Sequence, residues 1–153
     1  MQTILLQLVT IPAADNPTVI AILGFVLWTI SINLMIIGWR SVRVFSGASK
    51  INAFPADEKH GPDWYRRMLR AHANCVENLP FFGLVFVMAL ILDITGVSDR
   101  VALIVLAARI AQSVLHFIST SALAVTIRFT FYSVQLILIL WMVVDMLIRF
   151  LSI

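Results

Sequence analysis

Four arginines, Arg66, Arg70, Arg109 and Arg128, stand in largely apolar surroundings in this chain, and their spacing is the first guide to its chemistry. Asp63, Arg66, Arg70, Asn74 and Glu77 recur every three or four residues. A helix turning by about 100° per residue gathers them within an arc of roughly 80°, with Arg67 just beyond it. Arg109, Gln112, Ser113 and His116 form a second stripe, and Arg128, Tyr132 and Gln135 a third. Guanidinium is well suited to carboxylates, because its planar fork donates two parallel hydrogen bonds. Stripes converging on one cavity would give it a surplus of positive charge, with Glu77 and Asp63 the only acids. Such a cavity should hold an anionic ligand.

The elements that must carry these stripes are membrane spans. Of the 153 residues, 61% are hydrophobic and 12% charged, and the mean hydropathy is +0.98. Soluble domains are about 45–50% apolar and about 25% charged, so the chain reads as a single membrane domain covering 1–153. A span takes about 20 apolar residues. Uncharged Asn16–Trp39 predicts TM1, with neither the basic start nor the cleavage site of a signal peptide. TM2 is expected over about 63–92 if a charged first half enters the bilayer. TM3 is expected over about 101–119 and TM4 over about 123–148, the turn between them around Ser119-Thr120-Ser121 being weakly marked. Backbone groups cannot go unpaired in lipid, so the fold class is all-α integral membrane, a bundle of four transmembrane helices. Seven of the eleven basic residues (Arg40, Arg43, Lys50, Lys59, Arg66, Arg67 and Arg70) lie between the end of TM1 and the charged start of TM2. The positive-inside rule therefore puts an irregular 40–62 loop in the cytoplasm and both termini on the far side, although Arg149 votes the other way.

Depth narrows the pairing. Glu77 and Arg109 each lie seven residues from the inner surface residues Arg70 and His116, roughly 10 Å further in. That predicts a buried Glu77–Arg109 ion pair. Pro80 predicts a local kink nearby. The plainer roles are interfacial anchoring for Arg66, Arg67 and Arg70, a structural salt bridge for Arg109, a carbonyl contact for His116, and an aromatic-belt position for Tyr132. Cys75, on the far side of TM2 from the arginines, reads as a small packed residue, and Asp145 as interfacial or helix-packing. One cysteine excludes an internal disulfide, and the histidines lack the spacing of a metal site. The net charge of +3 is too small to argue for nucleic acid.

The run from Arg66 to Pro80, with its Arg70-Ala71-His72-x-Asn74-x-x-Glu77-Asn78-x-Pro80 core, resembles the signature of the MAPEG family, the membrane-associated proteins in eicosanoid and glutathione metabolism. Ala108-Arg109-Ile110, Arg128 with Tyr132, and the basic end of TM1 (Arg40-Ser41-Val42-Arg43) extend the resemblance over most of the chain. It implies a homotrimer with glutathione in a cytoplasm-facing cavity between neighbouring subunits. Arg70, Asn74 and Glu77 would contact glutathione, Arg109 would lie close by, and Tyr132 and Arg128 would come from the adjacent subunit. Arg66, Arg40 and His116 are further candidates for that cavity. Arg128 would be the catalytic residue, stabilising the thiolate, since a thiol of pKa about 8.5 is acidified by a neighbouring cation. His116 stands where several eukaryotic members have tyrosine, and Phe129 where the prostaglandin synthase branch has serine, so no eicosanoid substrate is assigned.

These readings lead to a membrane glutathione transferase or peroxidase acting on lipophilic electrophiles from the bilayer, in a bacterial inner membrane. The alternative is a non-catalytic lipid or fatty-acid binder of the same family. A transporter or channel fits the intramembrane charges less well, because no polar path continues past Leu84–Leu92.

Overall fold

The computed structural model describes residues 15–55 and 58–152. The N-terminal tail expected on the far side, and positions 56 and 57 of the loop, lie outside the described residues. Four helices account for almost everything described: α1 (Pro17–Phe45), α2 (Asp63–Ile91), α3 (Ser98–Ile118) and α4 (Ala122–Leu151). All four are long and apolar enough to cross a membrane, and the protein is an integral, multi-pass membrane protein.

Local chemistry sets the ends of these helices. Asn16 caps α1 by accepting the Val19 N–H at 3.0 Å, with Pro17 at the first helical position. The α2 terminus closes with Asp93 at φ 55° and the Ile94 N–H returning to the Ala89 carbonyl, a left-handed cap that aspartate tolerates. Ser121 caps α4 through the Ala124 N–H, which leaves three residues, 119–121, between α3 and α4. The helix α2 runs through Pro80 without interruption.

One boundary differs from expectation. The first helix continues to Phe45, so Arg40 and Arg43 belong to the helix and the loop begins near 46, not at 40. Arginine is a good helix former, and its charge marks where the hydrocarbon ends, not where the helix does. At about 1.5 Å per residue, α1, α2 and α4 (29, 29 and 30 residues) are each over 40 Å long, while the 21 residues of α3 just cross a hydrocarbon core of about 30 Å.

That short helix is the hub. It packs against the other three, whereas α2 and α4 barely meet and α1 does not reach α4. Its inward face is small or polar (Ala102, Ala108, Arg109, Gln112, Ser113), allowing close approach of neighbours. Phe25, Ile32, Phe82 and Phe86 fill the space around it, and Cys75 is fully buried with its Sγ 3.4 Å from Ser113 Oγ. At the end opposite the loop, the Thr18 hydroxyl donates to Asp99 at 2.6 Å and ties α1 to α3. Asp145 is paired with Arg149 along α4.

The loop is held by an aromatic cluster. The buried Tyr65 ring lies 4.1 Å from Trp39 between centroids, and Phe54 and His60 adjoin it. Gly61 has φ 71°, and a Cβ there would sit 2.6 Å from Tyr65 Cδ1. Since Tyr65 cannot swing away, Gly61→Ala should cost about 1–3 kcal/mol. Thermal unfolding in detergent checks this, and an unchanged midpoint would refute the fit.

Candidate functional site

The basic residues near the loop end fall into three groups. The first lines a cavity of about 380 Å³ between α1, α2 and the loop, formed by Arg40, Arg66, Arg70, Glu58, Lys59 and His60. The Arg40 Nε donates to the Tyr65 hydroxyl, and its guanidinium stacks 5.4 Å from the Phe54 ring centre. This fixes a cation that would otherwise be a mobile surface side chain. Arg43 turns the other way, donating to the Ala48 carbonyl and Ser49 hydroxyl. Arg66 is paired with Asp63 and donates to the Gly61 carbonyl at 3.2 Å. Arg70 is exposed and belongs also to an adjoining cavity of about 290 Å³, shared with Asp63, Arg66, Arg67 and Thr120. With Arg66 matched by Asp63, the cations Arg40, Lys59 and Arg70, which have no ion-pair partner among the described residues, outweigh Glu58 there. An anion with separated acidic groups suits that balance.

The second group is Arg109 and Asn74. Arg109 is wholly buried, its guanidinium between the Phe25 and Phe82 rings at 5.4 and 5.2 Å, with one nitrogen donating to Asn74 Oδ1. Its Nε and second terminal nitrogen have no partner among the described residues. The expected Glu77–Arg109 ion pair is absent: Glu77 is exposed on α2, and among the described residues the ion pairs are Asp63–Arg66 and Asp145–Arg149. Asn74 and Glu77 differ by less than one turn, about 4.5 Å of rise, and it is Asn74 that faces α3. Arg109 is therefore a buried strut inside the subunit and does not line the basic cavity. Beside it Gln135 on α4 donates to Gln112 on α3 at 3.1 Å.

The third group joins the last turn of α3 to the second turn of α4. Arg128 Nη1 lies 2.8 Å from His116 Nδ1. An arginine only donates, so Nδ1 accepts and the imidazole proton sits on Nε2. Tyr132, one turn further along α4, is half-buried. The convergence expected of Arg70, Arg109 and Arg128 is thus divided: Arg70 borders the basic cavity, Arg109 is buried between α2 and α3, and Arg128 is held by His116.

Sequence reasoning missed the part played by Arg67. Its Nε donates to the Phe117 carbonyl at 2.8 Å, satisfying a terminal group of α3 and tethering α2 to it. The only sequence signal was a basic residue beside the arginine arc, which headgroup anchoring explained equally well. No group of histidine, cysteine or acidic side chains that could hold a metal ion occurs among the described residues.

No curated protein matches the chain, and no solved structure does. Residues 18–148 do match the MAPEG family, a stretch that takes in all three groups of basic residues and nearly the whole of the four-helix bundle. The chain belongs to the MAPEG family.

Proposed function

We propose that the protein is a glutathione transferase or peroxidase of the membrane, using glutathione from the cytoplasm on lipophilic electrophiles that arrive through the bilayer. Membership of the MAPEG family supports a glutathione- or eicosanoid-related role in general. The observation that carries the finer reading is the basic cavity, where Arg40, Lys59 and Arg70 surround about 380 Å³ beside apolar helix surfaces. Glutathione has carboxylates at both ends and an ammonium group, which the three cations and Glu58 complement.

On this reading the protein is a homotrimer. Glu77, exposed on α2, and the half-buried Asn74 of one subunit take part in the site with Tyr132 and Arg128 of a neighbour. The weak contact between α2 and α4 within a subunit leaves both helices free for such neighbours. Arg128 lowers the thiol pKa, the proton passes to water, and the thiolate forms a sulfur–carbon bond with the electrophile, which takes up the displaced electron pair.

The test is glutathione affinity by calorimetry in nanodiscs. Arg70→Ala removes a charge-assisted contact worth about 2–5 kcal/mol, so affinity should fall by more than about tenfold. No heat of binding to the parent protein, or equal affinity in the variant, sinks the proposal.

The second reading, a lipid or fatty-acid binder, is favoured by a groove of about 380 Å³ between α2 and α4 lined wholly by apolar residues, Leu84, Met88, Met146 and Phe150 among them.

A further inference from the structure

We infer that His116 is a positioning residue that aims the Arg128 guanidinium, and not a ligand for the thiol substrate. The inference rests on the thiolate role proposed above for Arg128. The contact between Arg128 Nη1 and His116 Nδ1, at 2.8 Å, is the one hydrogen bond Arg128 makes among the described residues. Arg128 is half-buried, and its Nε and other terminal nitrogen make no hydrogen bond among the described residues while Nη1 is held. The arrangement is built into the α3–α4 turn. The Ser121 N–H donates to Ser119 Oγ at 3.1 Å, Ser121 caps α4, and Arg67 anchors the carbonyl of Phe117 next to the histidine. These contacts fix the two helix ends that His116 and Arg128 bridge.

The choice of side chain also has a physical reason. A carboxylate in this position would hold Arg128 equally well but would neutralise the charge that acidifies the thiol. An unprotonated imidazole orients the guanidinium and leaves its charge intact.

Three variants in nanodiscs test the assignment. His116→Leu should lower kcat for a model electrophile by about three- to tenfold, and the titration midpoint of the bound thiol, followed by thiolate absorbance, should rise by up to about one unit. Glutathione affinity should change by less than about twofold. His116→Asn, which can present an oxygen near the place of Nδ1, should restore both quantities. His116→Asp, of nearly the same shape, should restore neither, because its charge cancels that of Arg128. An unchanged kcat and thiol titration in His116→Leu overturns the inference, as does a loss confined to glutathione affinity, which would make His116 a ligand. Equal behaviour of the Asn and Asp variants overturns it too, and remains readable if the leucine variant fails to fold. A parent protein that shows no thiolate signal with glutathione defeats the transferase reading itself, a result distinct from any change between variants.

Discussion

An Arg109→Met variant is expected to melt at or above the temperature of the parent protein, and Arg109→Ala to be less stable than the methionine variant by about 2–5 kcal/mol. Arg109 is completely buried, has no carboxylate partner among the described residues, and leaves two nitrogens without acceptors. Its compensation is one bond to Asn74 and two aromatic faces. An incompletely paired charge in a membrane interior costs about 2.5 kcal/mol or more. Methionine removes that cost, retains most of the side-chain volume, and places sulfur between Phe25 and Phe82, where such contacts are favourable. Against this stands an unpaired Asn74 oxygen, worth about 1–3 kcal/mol. Alanine also removes the charge but leaves a void between the rings. Thermal unfolding in detergent separates the two effects. Equal destabilisation by methionine and alanine would mean that the guanidinium bonds, not its bulk, hold α2 to α3. Both variants should weaken glutathione binding, since Asn74 loses the donor that fixes its amide.

Arg128→Ala should cut turnover of a model electrophile by at most about 30-fold at about pH 7, and the deficit should vanish near about pH 9.5. The ceiling follows from the thiol. With a pKa of about 8.5, roughly 3% of it is thiolate at neutral pH, so full ionisation raises the reactive form about 30-fold. Above its own pKa the thiol ionises without help. Glutathione affinity should be largely kept, because Arg40, Lys59 and Arg70 supply the charge of the cavity. A loss well beyond this ceiling that persists at high pH would assign Arg128 to stabilising charge in the transition state. A parent protein with no turnover to lose would favour the lipid-binding reading.

Much of this architecture was legible in the order of residues. Four apolar runs of spanning length gave four helices, and the Arg66–Pro80 motif announced the family that the match over 18–148 establishes. What escaped was pairing between helices. Depth along a span is good to about one turn, so Glu77 and Asn74 were equivalent partners for Arg109 until the rotation of α2 was known. Arg67 and Phe117 are fifty positions apart, and nothing local links them. The choice between Arg40 and Arg43 needed the Tyr65–Phe54 cluster, which turns the first toward the cavity and leaves the second on the loop. His116 and Arg128, by contrast, flank a three-residue turn, and stripes read on adjacent helices already placed them at the same end.

The position of α3 as the helix packed extensively against all three others bears on how the chain is made. During synthesis α1 and α2 emerge from the ribosome before α3 and can pair as a hairpin, but the seam lined by Asn74, Cys75 and Phe82 has no occupant until Arg109 and Ser113 of α3 are translated. A nascent hairpin halted at that stage would show a polar, unfilled edge to the insertion machinery, so biogenesis commits only when the third segment arrives.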